Sequence, residues 1–429
     1  MIESLIGFGA LFVVVFLGVP LGFALLLVGL IGFAALRGIG PALAMSGQQI
    51  VDFSTNYGFS VLPLFILMGT FIHRAQLSED LYDAAHVFLG RRRGGLAMAT
   101  IAACGAFAAV SGSSLATAAT MSKVAVPPMR RYGYDDRLAT GSVAAGGTLG
   151  ILIPPSVPLV IYGILTETDI GKLFIAGVLP GLLLILAYFA AIWLTVLFRP
   201  AMGPRAESAD MAERLQALKR VWAVLALFVL VLGGIYLGVF TPTEAAGIGA
   251  TGALLFAIAR RRLNWSEFIG AMVEAAVMTG MIFLVVFGAM VFANFINLAG
   301  LTRAIVAHLQ GESMSATTVV IMICVVYLVL GCVFDSMAML LLTVPVFAAV
   351  LQPLGVDLIW FGIVTIVAIE IGLITPPIGM NVFIVRTVVT DVKAKQIFVG
   401  VAPFVVASLV ALATLIYWPS ITLTLPGLM

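Results

Sequence analysis

The chain has 429 residues, of which 62% are hydrophobic and 10% charged, against roughly 25% charged in a soluble globular protein. With a mean hydropathy of +1.18, this excludes a water-soluble enzyme and a disordered chain. The 22 Lys+Arg against 20 Asp+Glu leave no basic excess for a nucleic-acid binder.

Long continuous apolar runs exclude a β-barrel, whose strands alternate. The expected fold is an all-α polytopic membrane protein. Met1-Ile2-Glu3 carries no basic stretch and no small-residue cleavage site, so the first span is expected to be an uncleaved insertion signal. Apolar segments lie at about 5–20, 21–36, 58–73, 139–164 and 173–198. A polar cytoplasmic linker, 199–220, separates them from segments at about 221–240, 244–259, 272–298, 359–385 and 397–418. Residues 261–271 read as a short amphipathic surface helix. Regions 95–128 and 316–350 are apolar with a polar break near the middle, and each is expected to be a re-entrant hairpin. Cys104, Cys324 and Cys332 sit in apolar runs without metal-ligand or disulfide spacing, as small core hydrophobes. His73 and His86 fall at a boundary helix and loop and His308 in a loop on the other side, an arrangement that does not make a metal site.

With the N-terminus outside and ten crossings, 19 of the 22 basic residues fall inside; Arg37, Lys172 and Arg303 do not. Basic residues resist translocation, so this bias supports an inner-membrane topology with both termini periplasmic. The chain also matches itself at an offset of 222, with 14 identities over positions 85–169. The count is weak, but its content is rare in an apolar chain: Ala85-His86 recurs as Ala307-His308, Asp135 as Asp357, and Gly150–Pro155 as Gly372–Pro377. Two repeats are expected, 1–198 and 221–429, each of five spans and one hairpin. An odd number of crossings inverts the second copy, a transporter architecture with its site near the mid-plane.

Four constellations carry the chemistry. The first hairpin tip is Ser111-Gly112-Ser113-Ser114. Two half-helices ending in lipid leave backbone groups that hydroxyls or an ion must satisfy. Gly and Ser also serve as packing residues in membranes, but a mid-hairpin position favours a site. The second is residues 146–158, with three glycines and three prolines, which cannot hold one continuous helix. A broken helix exposes carbonyl oxygens suited to a hard cation and N-termini suited to an anion. The third is the second tip, Asp335-Ser336, where Asp335 can also act as a helix cap. The fourth is Glu370 with the second break, Gly372–Asn381. An intramembrane carboxylate is costly and by default functional, although Glu370 could instead bond to local hydroxyls. Glu244 fits a capping box with Thr241.

Ser111–Tyr134, Gly146–Gly163, Phe174–Gly181, Phe240–Gly247 and Gly372–Asn381 resemble the large, DctM-like membrane subunit of tripartite ATP-independent periplasmic (TRAP) transporters, over about residues 5–418. The resemblance implies a non-enzymatic, sodium-coupled uptake of an organic anion, such as a C4-dicarboxylate or a sialic acid. It implies an elevator of scaffold and transport domains, a small four-helix membrane subunit and a soluble periplasmic binding protein. Because the first span opens the sequence, the small subunit is expected to be a separate chain. Carried over by motif, one sodium site would use Ser111 and Ser113 with backbone oxygens around Gly150, Leu152 and Pro155. The other would use Asp335, Ser336 and residues from Thr375 to Ile378. The anion would lie between the tips near Ser113, Ser114 and Asp335, with Ser156, Ser336 and Asn381 as further contacts. A stand-alone sodium/divalent-anion symporter is the rival reading. An intramembrane protease is disfavoured, because Ser111–Ser114 has no histidine at its depth and Asp335 no partner aspartate.

Overall fold

A chain in lipid must satisfy its backbone groups internally, and every regular element among the described residues is a helix. The computed structural model describes residues 2–75, 77–206, 210–311 and 314–429. Among these, eight helices are long and apolar enough to cross a membrane. Seven coincide with expected spans. The eighth, Ser336–Leu354, is the returning arm of the second expected hairpin. The other three expected spans are shorter as continuous helices, Ile2–Phe16, Leu21–Arg37 and Leu358–Ile374.

Helix bounds recur at the offset seen in the sequence. Asp136–Leu152 corresponds to Leu358–Ile374, Ser114–Arg131 to Ser336–Leu351, and Val157–Thr166 to Met380–Val388. Asp135 caps the first of these, accepting from Arg137 N at 2.8 Å, and Asp357 caps its counterpart, accepting from Ile359 N at 2.8 Å and Trp360 N at 3.0 Å. Such a cap satisfies a donor that the helix start would otherwise leave open.

Some elements differ from expectation. Ile39–Thr55, Leu77–Leu89 and Leu301–Gly311 are helices outside every expected span, and His86 and His308 lie on the last two of them. No separate surface helix occupies 261–271. Asn264 and Glu267 cap each other's backbone at 2.8 and 2.9 Å and start one helix, Trp265–Leu298. No proline follows to stop it. The same reciprocal cap, from Asp210 and Glu213, makes residues 211–220 the first turns of Met211–Tyr236.

Packing gathers the helices around two centres. Leu21–Arg37 and Val61–Arg74 pack on Trp265–Leu298, and Pro242–Ala259 packs on the Val61–Arg74 helix. Asp136–Leu152 is wrapped by Gly95–Ser111, Ser114–Arg131 and Ala394–Tyr417. The apolar window of Asp136–Thr166 is 83% buried, against 33–61% in the other candidate spans, so it keeps no lipid face. A Cβ on Gly400 would meet the Arg137 carbonyl oxygen at 1.9 Å, which shows how closely Ala394–Tyr417 approaches this central helix. Small residues permit such backbone contact in membranes.

Candidate functional site

The first tip is a tight reversal between Gly95–Ser111 and Ser114–Arg131. Gly112 turns the chain at φ +59°, a left-handed conformation that glycine adopts without a steric penalty. Ser113 caps the second helix, its Oγ accepting from Ala116 N at 3.3 Å. Ser111 Oγ lies 2.8 Å from Thr117 Oγ1, which donates to the Ser113 carbonyl at 2.7 Å. The tip is therefore an oxygen-rich knot, and Thr117 completes it. Sequence reasoning missed Thr117, although its place four residues after Ser113 puts it on the same helix face.

This knot rests on the first broken helix. A Cβ on Gly150 would meet Ser113 C and O at 2.8 Å and Ser114 N at 3.0 Å, so only glycine admits the tip here. The break itself spans residues 153–156. Ser156 bridges it: its Oγ donates to the Ile151 carbonyl at 2.8 Å and accepts from Leu159 N at 3.3 Å. Ser156 is 1% exposed, and its hydroxyl is engaged within the break. The Leu152 carbonyl faces Gly177 of Ile170–Phe198. Pro155 lines a small cavity together with Ala109 of the hairpin and Met68 and Val231 of the neighbouring helices. Of the expected first sodium set, the structure thus joins Ser111, Ser113 and Gly150, while Leu152 and Pro155 face other neighbours. The donors gathered at the tip are all oxygens, which fits a hard cation.

The second hairpin meets the second broken helix at the glycine equivalent to Gly150, through the end of its incoming arm. Gly331 and Gly372 touch backbone to backbone; a Cβ on Gly372 would meet Gly331 Cα at 2.5 Å. Gly379 N donates to the Cys332 carbonyl at 3.4 Å. Asp335 acts as the cap of Ser336–Leu351, its Oδ1 accepting from Met337 N at 2.7 Å and Ala338 N at 3.0 Å. Thr375 Oγ1 donates to the Ile371 carbonyl of its own helix at 2.6 Å. Ser114 and Ser336 are buried, whereas Ile378 is exposed.

Two buried polar groups lie between the halves. Asn381 is fully buried; its Nδ2 donates to the Ala144 carbonyl at 3.2 Å while its Oδ1 has no partner. Glu370 is 1% exposed; its carboxylate lies by the Leu152 backbone of the first broken helix and has no hydroxyl partner among the described residues. The nearby Tyr188 hydroxyl instead joins Thr148 Oγ1 at 3.1 Å and Ser408 Oγ at 2.9 Å.

A cleft of about 910 Å³ opens between the two packing centres. The first tip, from Ser111 to Ser113, lines it together with Met337 beside the second tip. The opposite wall carries Thr70, His73 and Arg74 from Val61–Arg74 and Glu274 from Trp265–Leu298. Arg74 Nη2 is paired with Glu274 Oε2 at 2.8 Å. These wall residues come together only through packing of helices far apart in sequence. At one edge of the central body, Arg130 pairs with Asp136 at 2.6 Å and with Asp391 at 2.7 Å.

Known proteins resemble this chain in sequence and in fold. Residues 8–421 match the family model of the tripartite ATP-independent periplasmic transporter, DctM component. The chain is 37% identical to the C4-dicarboxylate TRAP transporter large permease protein DctM of Pseudomonas aeruginosa, over 88% of each chain. It is 33% identical to the sialic acid TRAP transporter large permease protein SiaM of Vibrio cholerae, over 100% of this chain and 99% of that one. It is 32% identical to the ectoine TRAP transporter large permease protein TeaC of Halomonas elongata, over 96% of each. In fold it is similar to the Alcanivorax borkumensis YdaH transporter, with a TM-score of 0.64 at 15% identity over 89% of each chain. The chain is a polytopic helical membrane protein and belongs to the DctM family of TRAP transporter large membrane subunits.

Proposed function

We propose that this chain imports an organic anion across a bacterial inner membrane, driven by sodium. Its two halves act as inverted copies, divided at the 199–220 stretch. The observation that carries the reading is the paired contact of each tip with a broken helix: Ser113 on Gly150, and Gly331 on Gly372. Sodium at the first contact is held by Ser111 and Ser113 hydroxyl and carbonyl oxygens. Sodium at the second is held by backbone oxygens of Thr375–Ile378 and the Asp335 carboxylate. The ordered tips then offer hydroxyls and helix N-termini to a carboxylate near Ser113, Ser114 and Ser336. Sodium and anion bind cooperatively, because each orders groups that the other needs.

The body holding both tips moves against the wall formed by Val61–Arg74 and Trp265–Leu298. A small four-helix membrane subunit and a periplasmic binding protein complete the machine, with the chain termini on the periplasmic side. Relatives are named for C4-dicarboxylate, sialic acid and ectoine, so the class offered here is a small carboxylate. The test is sodium-driven uptake of labelled succinate and sialic acid by proteoliposomes holding this chain, the small subunit and the binding protein. Uptake that needs the sodium gradient and the binding protein supports the reading. Uptake by this chain alone establishes the stand-alone symporter, and no sodium dependence overturns the coupling.

A further inference from the structure

The cleft carries a cation that the tip chemistry does not use. Lys123 lies on Ser114–Arg131, the helix whose N-terminus forms the first tip. Ser113, Ala116, Thr120 and Lys123 all line the cleft, at spacings of three and four that put them on one helix face. Ten residues at a rise of 1.5 Å place Lys123 about 15 Å along the helix from Ser113. A small carboxylate cannot touch both at once. Lys123 is exposed, and it makes no ion pair among the described residues. The charge of Arg74 on the facing wall is already met by Glu274. Glu79 also lines the cleft, so the wall charges alone do not set the sign of what passes. The helix decides it, because its N-terminal amides and Lys123 both attract an anion and lie on one track.

We propose that Lys123 is the anion-guiding residue of the passage between the first tip and the mouth of the cleft, drawing a released carboxylate down the Ser113–Lys123 face. This rests on the reading of the cleft as the substrate route. The plain alternative is a lysine that only obeys the inside bias of basic residues, and a charge-sensitive probe separates the two.

A thiol is placed above Lys123 by Ala116→Cys in the complete reconstituted transporter, with Thr120→Cys as the second site should the first fail to assemble. Negatively charged methanethiosulfonate ethylsulfonate and its positively charged trimethylammonium analogue then compete for it. The parent chain, with its buried Cys104, Cys324 and Cys332, gives the background. Lys123→Gln is expected to slow the anionic reagent about tenfold, equivalent to about 1.4 kcal/mol. The cationic reagent is not slowed, and Lys123→Arg restores the wild-type ratio. An anionic-to-cationic ratio that Lys123→Gln leaves unchanged overturns the proposal. A changed ratio in a protein that shows no sodium-driven uptake upholds the anion-attracting face and removes only the sodium coupling of the passage.

Discussion

The two broken helices share a proline pair in the same register, with a cis bond at Pro154-Pro155 and at Pro376-Pro377, yet they sit in different surroundings. Pro154, Pro155 and Ser156 are buried, and Ser156 ties the last turn of one half-helix to the first turn of the next. Pro376, Pro377 and Ile378 are exposed. Ile378 occupies the position of Ser156 and supplies no hydroxyl, so the second break has no matching bridge. Gly379 N reaches the carbonyl of Cys332 on the tip instead. The first break therefore holds its own shape and offers the tip a flat glycine face. The second takes part of its shape from the tip. One motif gives a fixed platform in one half and a tip-dependent joint in the other.

The largest effects come from separating tip and platform. Gly150→Ala places a methyl group 2.8 Å from Ser113 backbone atoms, and Gly372→Ala places one 2.5 Å from Gly331 Cα. Backbone cannot yield as a flexible side chain does, and each change should cost about 1–3 kcal/mol of stability and abolish uptake. Melting curves and sodium-driven uptake measure the two effects. A variant that keeps its melting midpoint and its rate shows that the close approach is dispensable.

A smaller effect should follow from the bridge. Ser156→Ala removes two hydrogen bonds across a buried break, at a cost of about 1–3 kcal/mol for the group left unmet and toward the lower end if the backbone relaxes. The converse change sharpens the comparison. Ile378→Ser should give the second break a bridge of its own, raise the melting midpoint slightly and slow uptake by fixing a joint that has to move. Faster uptake from Ile378→Ser would reverse the assignment of platform and joint.

The breaks and tips were legible because their signals are local. Proline and glycine deny a continuous helix at 146–158 and 372–381, and Ser113 and Asp335 are cap residues before an apolar run. The amphipathic helices Ile39–Thr55 and Leu77–Leu89 were not legible as elements, since their polar face interrupts the continuous apolar run that marks a span. The continuity of Trp265–Leu298 lies in a local signal, the reciprocal Asn264–Glu267 cap, which opens the helix inside the stretch expected as a separate surface element. The cleft wall of His73, Arg74 and Glu274, and the reach of Asn381 to Ala144, arise from packing between distant segments. No spacing rule encodes such contacts. Asp335 stood between two legible roles, and the structure shows the capping one. Asp335→Asn keeps a good cap, so stability should change by only a few tenths of a kcal/mol. A rightward shift of the sodium titration at constant melting midpoint would give the carboxylate its second role, and an identical titration would confine it to the cap.

The smallest expected effect concerns the outer edge of the central body, where Arg130 at the end of the first hairpin holds Asp391 from the other half. The Arg130 guanidinium beside Asp391 keeps its carboxyl below the usual value of 3.8. The folded chain therefore takes up a proton at this group less readily than the unfolded chain. The pair's contribution is fully present above pH 3.8 and is lost as the pH falls through the lower folded value. Asp391 is exposed and the pair is screened by salt, so the melting midpoint of Asp391→Asn should lie only slightly below wild type at neutral pH and low salt. The gap should close both on acidification and at high ionic strength. A gap that survives high salt would mean that Asp391 acts through the fixed geometry of the Val388–Ala394 turn, and the tie between the halves would then have to be sought in the glycine contact of Gly400 with Arg137.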